Sequence, residues 1–239
     1  MSGINLLAFH AIGSAMTNYM VYWSFTCVKD KPYLDNAVQL TVLTLLAINA
    51  YYMVALYQDI MSILGKSNKN NSNNTLPYGH KTYLFFQTIF SMSHIVAIAY
   101  WSLRLTDITL VVPESELHTV DWRSSYTHGL NLVPLYIELA LFTQSLPRKR
   151  MWKVIHFLEI TLSYIVLQYL YFALTGKQVY PFLAALPIWI VGAFYGTLFL
   201  MLLGIDFWGC YLISSFHGRK VMHAIDDKIH QLAKGVKTF

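Results

Sequence analysis

Six long apolar runs alternate with polar stretches along the chain, at about residues 4–27, 37–57, 83–103, 129–146, 153–174 and 187–213. A helix needs roughly 20 apolar residues to cross a bilayer, so each run predicts a spanning helix. The first carries His10, Asn18 and several hydroxyls, and no basic stretch precedes it. Its length and the lack of a small-residue cleavage site favour a span over a cleaved signal peptide. The expected fold class is all-α: a polytopic membrane bundle of six transmembrane helices within residues 1–218. Val221, Ile225, Ile229 and Leu232 recur at helical spacing among charges. They predict that the tail, 219–239, is basic and cytoplasmic and forms an amphipathic helix on the membrane surface.

Composition agrees with the pattern. Of 239 residues, 56% are hydrophobic and 12% charged, with a mean hydropathy of +0.44. Soluble domains carry about 25% charged residues, so a water-soluble globular protein is not expected, and a disordered chain is excluded. Two cysteines, Cys27 and Cys210, are too few for a disulfide scaffold and fall near opposite faces of the membrane. The net charge of +5 sits in short clusters between apolar runs and not in a nucleic-acid motif, so no nucleic-acid partner is expected.

The clusters orient the bundle. With six spans, twelve basic residues share the side that holds both termini: Lys66, Lys69, Lys81, Arg148, Lys149, Arg150, Lys153, Arg219, Lys220, Lys228, Lys234 and Lys237. Five lie opposite: Lys29, Lys31, Arg104, Arg123 and Lys177. The positive-inside rule then puts both termini in the cytoplasm. Asn70 and Asn73 match the glycosylation sequon but fall on the cytoplasmic side, and should be unmodified. The longest outer loop, about 104–128, is a candidate lid.

Ionisable and polar groups inside a membrane are costly, and each is a functional candidate by default. They are His10, Thr41, Thr44, Asn49, His94, His128, Glu138, His156, Glu159 and Asp206. The second and fourth spans both run inward from the outer side. Thr41 lies about four residues into one and His128 opens the other, so both fall within roughly 6–8 Å of the same boundary. A hydroxyl and an imidazole at one depth suggest nucleophilic catalysis, with a neutral histidine as base. Donors for an oxyanion on that side are Tyr126, Thr127, Asn131 and Tyr180. Depth alone does not make the two helices neighbours. A threonine bonded to a carbonyl one turn back, and a histidine wetted at the interface, account for the same residues without chemistry.

Glu138 lies about 15 Å deeper than His128, too far to touch it, and can orient polar groups or bond a neighbouring helix. His94 could line the same cavity or be a buried structural histidine. Asn49 suits an interhelical hydrogen bond. His10 falls near the cytoplasmic face, away from the proposed site, and His156, Glu159 and Asp206 could form an interhelical cluster on that side. His94, His118 and His128 are the closest approach to a metal set, but their spacing matches no familiar motif, so no metal is expected. No glycine-rich phosphate loop and no Gly-x-Ser-x-Gly elbow occur, and no cofactor is expected.

The segment Gln39-Leu-Thr-Val-Leu-Thr-Leu-Leu, then His128 with Pro134 and Glu138, then Val179-Tyr-Pro-Phe-Leu183, resembles the androgen-induced and androgen-dependent TFPI-regulating proteins. The resemblance implies a six-span threonine hydrolase acting on fatty acid esters of hydroxy fatty acids. It puts the nucleophile on Thr41 and the histidine on His128, and it sets Tyr180, Pro181 and Phe182 at the pocket mouth. Where family members commonly carry Asn or Asp three residues after the threonine, this chain has Thr44. The expected activity is therefore a membrane-embedded lipid esterase that draws a lipid ester substrate from the bilayer. The candidate pocket is Thr44, His94, Asn131, Glu138, Tyr180, Pro181 and Phe182. A non-catalytic lipid-binding or transport protein and a metal-dependent hydrolase are the alternatives. Location in the endoplasmic reticulum or another internal membrane is favoured, with the plasma membrane also open.

Overall fold

The computed structural model describes residues 3–26, 33–64, 80–110, 121–141, 150–180, 183 and 186–236, and every regular element among them is helical. Helix α1 (Gly3–Thr26) is followed by the short α2 (Tyr33–Ala37), α3 (Leu40–Ile63) and α4 (His80–Thr106). A 3-10 turn (Ile108–Leu110) leads to the single turn α5 (Trp122–Ser125), a π-helical turn (Tyr126–Leu130) and α6 (Leu132–Leu141). Then come α7 (Arg150–Thr175) and α8 (Ile188–Val236). Each of the six apolar runs thus carries a helix. Among the described residues, three stretches are long and apolar enough to cross a membrane: Leu40–Ile63, Val154–Thr175 and Ile188–Leu212.

Two boundaries differ from expectation for clear reasons. Helix α3 runs past residue 57 to Ile63, because no Gly or Pro interrupts it and because its Asp59 finds a buried partner. The fourth run opens earlier, at Trp122, where Asp121 caps the turn by accepting from the amides of Arg123 and Ser124. Pro134 has no N–H to continue that ladder and its ring crowds the carbonyl four residues back. The chain adjusts just ahead of it, with a wide turn closed by the Asn131 amide on the Tyr126 carbonyl at 3.1 Å. The tail is continuous with the last apolar helix, since α8 extends unbroken for 49 residues.

Polar pairs set the helix directions. His10 meets Asp59, Thr17 donates to Asn49 at 3.0 Å, and Gly13 faces the Tyr52 ring, so α1 and α3 are antiparallel. Asn49 also donates to Asn18 at 3.1 Å, making the interhelical bonds its position suggests. Helix α1 meets Glu138 through His10 and Arg123 through Tyr19, so it is antiparallel to the fourth segment as well. Helices α3 and α6 therefore run parallel. Ile48, Tyr51, Tyr52, Ile89, Phe90, Leu135 and Leu139 form one core between α3, α4 and α6. A second core joins Ile95, Phe157 and Leu202 of α4, α7 and α8. On α7, Leu158, Leu162, Val166, Leu170 and Leu174 are exposed, an apolar surface suited to lipid.

Candidate active site

Thr41 stands in the first turn of α3. Gln39, at its N-cap, is extended and its side chain caps nothing. The position decides what the hydroxyl can do. Further along their helices, Thr17, Ser24, Ser93 and Thr161 each donate to the carbonyl four residues back, at 2.7–2.8 Å. Thr41 has no such carbonyl beneath it, because the helix begins only at Leu40. Among the described residues its Oγ1 has no hydrogen-bond partner. The explanation of Thr41 as a self-satisfied helix hydroxyl does not hold here.

His128 sits in the middle of the π-helical turn, a local geometry often found at functional positions. Its Nδ1 lies 2.7 Å from the Ser124 carbonyl and 3.0 Å from Thr127 Oγ1. The carbonyl can only accept, so Nδ1 carries the hydrogen and donates it. Nε2 is then the acceptor nitrogen, the form a base requires. Nε2 has no partner among the described residues. The ring plane is set by Tyr100, stacked at 3.7 Å and 15°. Close approach is possible because residue 129 is glycine: a Cβ there would come within 2.8 Å of Trp101 Nε1.

Helix α3 contacts the π-helical turn, so the neighbour relation that sequence left open is met. Below that contact, Tyr51 Oη donates to Glu138 Oε1 at 2.5 Å. Thr41 precedes Tyr51 by ten residues, and His128 precedes Glu138 by ten. Thr41 Oγ1 and His128 Nε2 do not bond each other here. Catalytic hydrogen bonds are commonly loose before substrate binds.

The other candidates sort by their partners. Tyr180 reaches the start of α3: its Oη accepts from the Leu40 amide at 3.2 Å and lies 3.2 Å from Tyr164 Oη. Pro181 and Phe182 lie outside the described residues, as do Cys27, Asn70, Asn73 and His118. Thr44 is 1% exposed, and its Oγ1 is without a partner. Asn131 is buried, donates from Nδ2 to the Thr127 carbonyl at 3.4 Å, and leaves Oδ1 without a partner. Buried polar atoms without partners are rare in proteins, and these two suit a polar ligand or water. Of the four oxyanion donors, Thr127 is committed to the Ser124 carbonyl, whereas Tyr126 Oη bonds no described residue. His94 is engaged at both nitrogens, with the Phe90 carbonyl and with Tyr136 Oη, each at 2.7 Å. That is a structural link between α4 and α6. Among the described residues, no three His, Cys, Asp or Glu side chains are grouped to hold a metal ion.

Glu138 belongs to a buried ionic cluster that sequence reasoning did not assemble. His10 Nδ1 lies 2.6 Å from Asp59 Oδ2, and His10 Nε2 lies 3.2 Å from Glu138 Oε2. A ring donating from both nitrogens serves both carboxylates. Glu138 is 0% exposed, and its bonds to Tyr51 and His10 tie α6 to α3 and α1. Its observed place is this tie and not an open pocket wall. The signal that could have found it is Asp59, one heptad beyond Tyr52 on the buried face of α3. His156 bonds Thr88 at 3.0 Å, a link between α7 and α4.

The fold is that of a small helical membrane protein, and among the described residues neither Thr41 Oγ1 nor His128 Nε2 has a hydrogen-bond partner. The chain belongs to the FAR-17a/AIG1-like protein family, whose pattern matches residues 5–214. Membership fits a membrane hydrolase. No curated protein and no solved structure matches it.

Proposed function

We propose that the protein is a six-span membrane esterase, both termini cytoplasmic, that hydrolyses fatty acid esters of hydroxy fatty acids with Thr41 as nucleophile and His128 as base. The observation that carries this reading is that, among the described residues, Thr41 Oγ1 and His128 Nε2 have no hydrogen-bond partner and stand on neighbouring parallel segments. An interface threonine without a purpose would be expected to find a carbonyl, as its counterparts do.

In this mechanism His128 Nε2 takes the Thr41 proton as Oγ1 attacks the ester carbonyl. The tetrahedral oxyanion is stabilised by the amide dipoles at the start of α3 and by the Tyr126 hydroxyl. Collapse breaks the ester C–O bond. The alkoxide leaves with the proton from His128, as the free hydroxy fatty acid, and the acyl group stays on Thr41. Water, activated by the same nitrogen, then attacks the acyl ester, releasing the fatty acid and restoring Thr41. Thr44 Oγ1 and Asn131 Oδ1 are partners for that water. No cofactor enters these steps. An endoplasmic reticulum or other internal membrane suits a site that opens on the luminal side.

The test is hydrolysis of a hydroxy fatty acid ester by purified protein in detergent, in the presence and absence of a chelator. Turnover should be lost in Thr41→Ala and His128→Ala at unchanged melting temperature, with no chelator effect. Well-folded wild type that binds the ester but never cleaves it would point to lipid binding or transport. Chelator sensitivity would point to a metal.

A further inference from the structure

We propose that Arg104 receives the free carboxylate of the ester substrate, so that the protein selects acidic lipid esters over neutral ones. The inference rests on the esterase reading and adds the determinant of substrate class.

Arg104 lies in the last turn of α4, at the same end of the bundle as His128. Its guanidinium lies 4.9 Å from the centroid of the Trp101 ring and 5.7 Å from that of Tyr100. Nη1 donates to Tyr100 Oη at 3.1 Å, and the Tyr100 ring is the one stacked on His128. The cation is thus one aromatic ring away from the candidate base. It is half-buried against those rings.

What distinguishes Arg104 is that no counter-ion faces it among the described residues. The described carboxylates on that side are all engaged elsewhere. Asp121 takes Arg123 through two nitrogens, at 2.7 and 2.5 Å. Asp107 accepts from both the amide and the hydroxyl of Thr109, at 2.8 and 2.7 Å. Asp35 takes Lys177 at 3.5 Å and the Tyr171 hydroxyl at 2.9 Å. Arg104 pairs with no carboxylate among the described residues. A guanidinium has five donors in a planar fork, and Tyr100 uses one of them. The remaining edge matches a carboxylate in two-point contact. Stacking on aromatic faces is the setting in which arginine presents that edge. A lipid with a carboxylate near its ester would place the acid on Arg104 and the ester at His128.

The experiment compares a hydroxy fatty acid ester bearing a free carboxylate with its methyl ester, using the full-length protein in detergent. Wild type should prefer the acid. In Arg104→Gln the ratio of kcat/KM for acid over methyl ester should fall by roughly tenfold or more, through a higher KM for the acid. Arg104→Lys, which keeps the charge but not the fork, should fall between the two. Equal losses on both esters, or a wild type indifferent to the methyl group, would overturn the proposal. A second arm does not need turnover. Palmitate should raise the melting temperature of wild type more than methyl palmitate does, and Arg104→Gln should lose that difference. If neither ester is cleaved, the esterase reading fails while this arm still decides the carboxylate site. An equal shift with both ligands would refute it.

Discussion

Tyr51 donates a 2.5 Å hydrogen bond to Glu138, and each lies ten residues beyond one of the two candidate catalytic groups. The bond ties α3 to α6 in the buried interior. Truncating Glu138 leaves His10 and Tyr51 with unmet bonds in a dry interior. Removing one partner of a buried ionic pair typically costs about 3–5 kcal/mol. Glu138→Ala should therefore lower the melting temperature sharply, and Tyr51→Phe should cost about 1.5–3 kcal/mol, the worth of a bond to a charged group. Thermal unfolding in detergent measures both, and a Glu138→Ala protein as stable as wild type would contradict the tie.

The stack on Tyr100 is what holds the His128 ring. Tyr100→Ala frees that ring while leaving its nitrogens intact. Misplacement of a catalytic group by about 1 Å can cost on the order of a hundredfold. Steady-state kinetics should show a loss of ten- to a hundredfold, carried by kcat. An unchanged kcat would mean that the Ser124 carbonyl alone orients the ring.

Gly129 is needed for the approach of Trp101. A Cβ at 2.8 Å from the indole nitrogen forces the two helices apart. Gly129→Ala should destabilise by about 1–3 kcal/mol, the usual cost of overpacking. Trp101→Phe in the same chain removes the atom in the way and should restore most of the loss. Additive destabilisation in the double variant would argue against this contact.

Asp121 gives the outer end a predictable response to acid. Burial would raise its pKa, but the bonds from the Arg123 side chain and from the amides of Arg123 and Ser124 outweigh it and hold the carboxyl below its ordinary value. A depressed folded pKa contributes stability above the unfolded value, near 4, which is lost as the pH falls through the folded value. Wild type should lose melting temperature as the pH falls below about 4 more steeply than Asp121→Asn, which keeps the cap but not the charge. The pair is partly exposed, so the difference should stay within about 1 kcal/mol. Parallel curves across that window would exclude this role.

Much of the bundle was legible in the sequence, because apolar length needs no knowledge of partners. The ionic cluster was not legible. Asp59 fell beyond the predicted end of the second run, and His10 lay in the helix furthest from the proposed site. Nothing local to either announces a bond across 49 residues. The π-helical turn was also hidden, since it arises where Pro134 interrupts a ladder and no side-chain pattern marks it. The tautomer of His128 required a carbonyl position, which only the folded backbone supplies.

The central claim is that Thr41 carries the acyl group, and mass spectrometry of the trapped intermediate tests it most directly. Wild-type protein would be mixed with a hydroxy fatty acid ester, quenched in acid during turnover and digested. The account predicts a peptide containing Thr41 heavier by one acyl chain, absent from Thr41→Ala and from His128→Ala. An acyl group on any other residue, or undiminished turnover by Thr41→Ala, would contradict it.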